Sequence, residues 1–348
     1  MKPLTPLRAR QKGAAILTAM LLVTLVATLS ATALWQQWRG IEIETAERSR
    51  VQSAWIQQGA LDWARLLLRE DVRTLDHLGE PWAVGLQEAR LATFLASQSD
   101  AVVGTGLEDG LTQAFLSGRI EDLQARLNVT SLLQPNGQED KPTVAAFTRL
   151  FASLQLPPDE LSTMVRQLKL AVGSEADTPA ASDPGGGQGS AAAPTKPKVS
   201  NIDGPLLPRT VDQLAWLGLS RTSIAALAPY ITVLKERTPV NLNTASALVL
   251  AASIKDLPLS EAQRMLTARA QAPFQTLEDA KRAIPALAAN LLEGQHSVNT
   301  RHFEIHTQLR LDALVSLEDA VVQRNAAGEV RVLWRQRGTQ LLNQRKPP

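Results

Sequence analysis

Apolar and polar positions divide this chain into stretches of different period. From Ala14 to Trp35 the residues are almost uniformly apolar, and no charged residue occurs between Ala14 and Arg39. Twenty-two residues at about 1.5 Å each cross a hydrocarbon core of about 30 Å, so the stretch predicts a membrane-spanning helix. Beyond it the pattern turns amphipathic. Ile56, Ala60, Trp63 and Leu67 recur at helical spacing, with Gln58, Asp62, Arg65 and Arg69 on a polar face. The helix is expected to continue until His77-Leu78-Gly79-Glu80-Pro81, where glycine and proline stop it.

Two distant regions read as strands. A short β segment is expected around Arg119–Val129. Near the end Phe303, Ile305, Thr307, Leu309 and Leu311 alternate with Glu304, His306, Gln308, Arg310 and Asp312, the period of a half-buried strand. Ala320–Gln323 and Val330–Trp334 then flank Asn325-Ala326-Ala327-Gly328, a hairpin turn. Between these regions, residues 131–295 read as a helical insertion. Phe147, Leu150, Phe151 and Leu154 form one apolar stripe, Leu161, Val165 and Leu168 another, and Leu156-Pro157-Pro158-Asp159-Glu160 turns the chain between them. Inside the insertion, residues 173–205 are rich in Gly, Pro, Ser and Ala, too little apolar surface to offset chain entropy, and are expected to be a disordered loop. The expected class is α+β. The segments are a basic leader (1–13), a transmembrane helix (14–35), helix continuation and first strand (36–130), the insertion, C-terminal strands (296–337) and a tail (338–348).

Lys2, Arg8, Arg10 and Lys12 all precede the apolar span, which places the leader in the cytoplasm and the rest of the chain across the membrane. A cleaved secretory signal is the competing reading, and Ala31-Thr32-Ala33 imitates its cleavage site. The span is longer than a signal core of about 7–15 residues, and Trp35 and Trp38 sit where an interfacial belt anchors a retained helix.

The junction Arg10-Gln11-Lys12-Gly13-Ala14 resembles the sites cut by prepilin peptidases, with the cut between Gly13 and Ala14. Gly59-Ala60-Leu61-Asp62-Trp63-Ala64, Gly118-Arg119-Ile120-Glu121-Asp122-Leu123, Val240-Asn241-Leu242-Asn243-Thr244-Ala245 and Val332-Leu333-Trp334-Arg335 follow in order. Together they resemble the protein K family of minor pseudopilins of bacterial type II secretion systems, over most of the chain except about 170–205. The resemblance implies a pseudopilin fold, a long N-terminal transmembrane helix packed on an antiparallel sheet, here carrying a large all-α insertion. It implies a structural role at the tip of a periplasmic pseudopilus, helping to initiate and cap it. The implied partners are minor pseudopilins I, J and H, the prepilin peptidase, the inner membrane and exported proteins. Shaft-forming pilins usually carry glutamate as the fifth mature residue, to neutralise a neighbour's N-terminal amine. Here that residue is Thr18, which supplies no charge, and an unpaired ammonium in hydrocarbon is costly.

Other chemistries find little support. There is no cysteine, so neither disulfides nor thiolate metal sites contribute. The net charge of +2 becomes −2 without the leader, which removes the basic signal for nucleic acid. Pro239–Ala245 and Phe274–Asp279 resemble helix-hairpin-helix DNA-binding modules, but the hairpin Asp256-Leu257-Pro258-Leu259-Ser260 has no glycine to approach phosphate and carries a repelling carboxylate. Calcium-carrying relatives of protein K open their site with aspartates. Gln167-Leu168-Lys169-Leu170-Ala171-Val172 has none, and Asp177, Asp183 and Asp203 lie in the expected loop, so no cofactor is expected. His302, Glu304 and His306 share one strand face and could ligate zinc, but a solvated sheet face is the expected reading. No catalytic constellation emerges, so an enzyme is not expected. A type IV pilus minor pilin would share leader and anchor but usually has a C-terminal cysteine pair. A membrane-anchored DNA-binding protein would need a working hairpin.

Overall fold

The structure, a computed structural model, describes residues 14–91, 93, 114–176, 204–311 and 314–341. The chain forms two compact units, residues 1–59 and 60–348. Helix α1 runs from Ala14 to Glu70. Its N-terminal portion is long and apolar enough to cross a membrane, with a mean hydropathy of 2.1 over its most apolar window. Ile16, Leu21, Val26 and Leu29 are all exposed, as are Trp35 and Trp38. The Arg39 guanidinium stands 5.4 Å from the Trp35 ring centroid, a cation–π contact.

In the second unit a five-stranded antiparallel sheet has the order β1-β2-β7-β8-β9. The strands are β1 (Leu86–Arg90), β2 (Ala114–Asp122), β7 (His302–Leu311), β8 (Leu314–Arg324) and β9 (Val330–Leu341). The alternation expected in β7 is present. Phe303, Ile305, Thr307, Leu309 and Leu311 are buried, and Phe303 and Ile305 join Leu61, Ala64, Leu68, Trp82, Ala320 and Val322 in one core. Trp82 meets Phe303 edge-on at 5.1 Å. Gly328, at φ 91°, closes the β8–β9 hairpin as its position in the turn requires.

The deeply buried stripe of α1 in this unit is Leu61, Ala64 and Leu68, one position on from the one expected, and Trp63 and Leu67 flank it half-buried. The helix ends at Glu70 rather than near His77, where Arg324 takes the Leu68 carbonyl at 3.3 Å and the Asp71 carboxylate at 3.0 Å. The first strand is β1, and β2 begins at Ala114 and ends at Asp122, so Leu123–Ala125 is a single 3-10 turn instead of strand.

The helical insertion has its own core, drawn from Leu127 through Leu291. It comprises α2 (Lys141–Ser153), α3 (Pro158–Ala176), α4 (Arg221–Leu227), α5 (Ala247–Ser253), α6 (Leu259–Gln271) and α7 (Leu277–Ala283) among the described residues. Phe147, Leu150, Phe151, Leu161, Val165 and Leu168 are all buried in that core, as their stripes predict. Asp140 caps α2 by accepting from the Thr143 N–H, and Thr276 with Asp279 forms a capping box on α7. Two parallel strand pairs tie the insertion together: β3 (Leu127–Asn128) with β4 (Ile231–Thr232), and β5 (Val240–Asn241) with β6 (His296–Ser297). Of the loop expected over 173–205, residues 173–176 instead belong to α3, which runs to Ala176, and residues 177–203 lie outside those described.

Candidate functional site: anchor, joint and strand cluster

Of the residues marked by sequence at the N-terminus, Gly13 lies outside the described residues and Ala14 opens α1. Thr18 lies in the exposed apolar helix, its hydroxyl donating back to the Ala15 carbonyl at 3.0 Å. Such back-bonding satisfies the hydroxyl inside its own helix and leaves the position without a charge.

The Asn241–Ala245 motif has a structural role that its sequence does not announce. The Asn241 amide donates to the Asp122 carboxylate at 2.9 Å and to the Asp76 carbonyl at 3.1 Å. The Thr244 hydroxyl donates to the same Asp122 oxygen at 2.6 Å, and the Gln124 N–H to the other at 2.7 Å. Burial pushes the Asp122 carboxyl upward, against these hydrogen bonds. Asn243 exchanges two bonds with the Phe274 backbone, at 2.9 and 3.0 Å. The end of β2, the end of β5 and the turn before α7 thus share one buried polar joint.

Beside it Arg324, 2% exposed, donates to Asp76 at 2.5 Å and to Asp71 at 3.0 Å, and its guanidinium lies 5.1 Å from the Phe303 ring centroid. Burial pushes Asp76 up to about 7, while Arg324 and the Thr300 N–H pull it down. Asp71, Asp76 and Glu80 come close enough to suggest a cation site. Arg324 already serves the two aspartates, and Glu80 accepts from the Trp82 indole at 2.6 Å.

The zinc trio considered from sequence does not assemble, and its face is not simply solvated. His302 is 2% exposed, with its Nε2 3.2 Å from Glu236 of the insertion and its Nδ1 3.4 Å from Gln124. His306 and Glu304 instead meet Glu121 of β2. Sequence spacing within β7 could not reveal Glu121, because the register of β2 on β7 brings it there. Burial would raise Glu121, but the Arg119 hydrogen bond and the Arg126 charge hold it below the usual carboxylate range. Burial raises Glu304, against the pull of His306 and Arg126.

The helix-hairpin-helix shape does form, as α5 and α6. Its hairpin places Asp256 at φ 58°, where a left-handed backbone favours glycine, with the carboxylate exposed beside Lys255. At the expected calcium position Gln167–Val172 forms part of α3, with Leu168 and Ala171 in the interior.

A long N-terminal apolar helix whose C-terminal turns lie on an antiparallel sheet defines a pseudopilin. Two family profiles, both described as Type II secretion system (T2SS), protein K, match residues 125–236 and 240–299. The Type II secretion system protein K of Pseudomonas aeruginosa PAO1 is 28% identical, over 95% of this chain and 94% of its own length. The protein K chain of the GspK-GspI-GspJ complex from enterotoxigenic Escherichia coli is similar in fold, with a TM-score of 0.58 at 17% identity, covering 84% of this chain and 98% of that one. The chain is thus similar to the type II secretion system protein K family, the minor pseudopilins, a structural component of secretion machinery.

Proposed function

We propose that this chain is a tip subunit of a periplasmic pseudopilus. It is inserted in the inner membrane with its N-terminus in the cytoplasm, is cut between Gly13 and Ala14, and caps a filament that drives folded proteins across the outer membrane. The observation that carries this reading is the apolar, exposed face of α1 with a self-bonded, uncharged Thr18 at the fifth mature position. The helix suits lateral insertion into a bundle of like helices. Thr18 gives no counter-charge to the amine of a subunit arriving next, so growth stops there. The helical insertion adds bulk that opposes stacking above it.

The E. coli chain of similar fold was solved with GspI and GspJ. We read this chain as assembling with the corresponding minor pseudopilins I and J, and with H. Exported proteins would meet the assembly at the insertion. An enzymatic role, a calcium cofactor and nucleic-acid binding form no part of this reading.

The test is the intact mass and N-terminal sequence of the chain from its native membrane, together with co-purification of proteins I and J. A mature start at Ala14 with both partners is the expected result. A start at Leu34 would mean a secreted soluble protein and would overturn the filament reading.

A further inference from the structure

The register of the sheet sets two carboxylates directly opposite each other, Glu121 on β2 and Glu304 on β7. Like charges facing across strands are destabilising unless something compensates. His306 follows on the same face of β7, paired with Asp319 of β8. Its Nδ1 lies 2.6 Å from the Asp319 carboxylate. A carboxylate can only accept, so this bond puts a ring proton on Nδ1, and in the neutral ring Nε2 is the nitrogen left to ligate.

Nε2 has no hydrogen-bond partner and almost no solvent access. It lies 3.7 Å from Glu304 Oε2 and 3.9 Å from Glu121 Oε1, beyond hydrogen-bond reach. Two carboxylate oxygens and one ring nitrogen therefore lie within 4.8 Å of one another, with Arg119 on Glu121 Oε1 and Arg126 3.7 Å from Glu304 Oε2. A metal ion bound at about 2.0–2.1 Å from each would draw them closer together.

We propose that Glu121, Glu304 and His306 form a zinc site that staples β2 to β7, with Asp319 as the positioning residue behind the imidazole. One nitrogen and two carboxylate oxygens suit zinc better than calcium, which takes six to eight oxygens. A carboxylate donating order to a ligating imidazole is the usual support of such sites. Arg126 stays behind the site, on Glu121 Oε2 at 2.5 Å. Arg119, on Glu121 Oε1 at 2.6 Å, yields that oxygen to the metal; its side chain is 61% exposed and free to swing outward. The position gives the site a purpose. The insertion leaves the sheet at the end of β2 and rejoins it at the start of β7, so the staple would hold the two strands that carry it.

The full-length chain without a histidine tag, in detergent, would be stripped with chelator and titrated with Zn2+ against a chromophoric competitor. One equivalent is expected. His306→Ala and Glu304→Gln should each weaken binding at least tenfold, and Asp319→Asn about tenfold. Co2+ should give visible absorption bands in the wild type that His306→Ala abolishes. Circular dichroism checks each variant, and Asp319→Asn, which spares all three ligands, keeps the test valid if a ligand variant unfolds. No zinc uptake by the wild type, or uptake unchanged from the wild type in both His306→Ala and Asp319→Asn, would overturn the site and leave a protonated His306 as what fills the gap.

Discussion

Arg324 carries more connections than any pattern around it suggests, reaching two carboxylates, two backbone carbonyls and an aromatic face from the last position of β8. Replacing it by methionine keeps the volume but leaves Asp76 buried and unpaired. Such a change is expected to cost about 3–5 kcal/mol, read as a lower urea midpoint with an unchanged slope. His296 makes a second prediction at this scale. It is 3% exposed, accepts from the Leu292 N–H at 3.2 Å, and burial lowers its pKa from 6.5 to about 4. Above pH 6.5 the ring is neutral in both states and its full contribution is present. As pH falls from 6.5 towards 4 the unfolded chain takes the proton first, so stability is lost across that window, by up to about 3 kcal/mol. His296→Asn should flatten the pH dependence of the unfolding free energy between pH 6.5 and 4; an unchanged slope would assign acid sensitivity to another group.

Among the elements, the joint built by β2, β5 and the turn before α7 is where the helical insertion is fixed. Asn241→Ala removes two buried donors and leaves Asp122 under-satisfied, an expected loss of about 1–3 kcal/mol. The same substitution should raise hydrogen exchange at Asp122–Gln124 more than in α3, which lies elsewhere in the insertion. Gly218 tests a turn. It follows the 3-10 helix Val211–Leu217 at φ 92°, and an added Cβ would come 2.8 Å from Thr163 Cγ2. Gly218→Ala is expected to cost more than about 1 kcal/mol in thermal unfolding. Adding Thr163→Ser should relieve the contact but not the backbone strain.

For the whole molecule, the proposed cap depends on a single uncharged position in the anchor. Thr18→Glu should restore the counter-charge for an incoming amine, and overproduced pseudopili should then lengthen in electron micrographs. Unchanged lengths would shift the capping role to the bulk of the insertion alone. At this scale the division of labour is visible in the architecture. One helix carries an apolar half that matches a membrane, while its last turns, Leu61 to Leu68, supply the core of the sheet unit.

Properties of short windows are legible in the chain before it folds. An uncharged apolar run cannot rest in water at that length, so Ala14–Trp35 reads as a membrane helix whatever follows. Strict alternation in Phe303–Leu311 defines a strand with one buried face, and Asn325–Gly328 defines a turn, because each depends on neighbours a few residues away. Whatever needs a distant partner is settled only when the chain has folded. Leu86-Gln87-Glu88-Ala89-Arg90 has no alternation of its own and is a strand because β2 offers an edge. Helix α1 ends at Glu70 because Arg324, 254 positions later, binds Asp71 and the carbonyl of Leu68. His302 and His306 share a strand face, yet one turns to Glu236 of the insertion and the other to Glu121 of β2. Periodicity reports which face a side chain occupies; register and long-range charge pairing choose what it meets there.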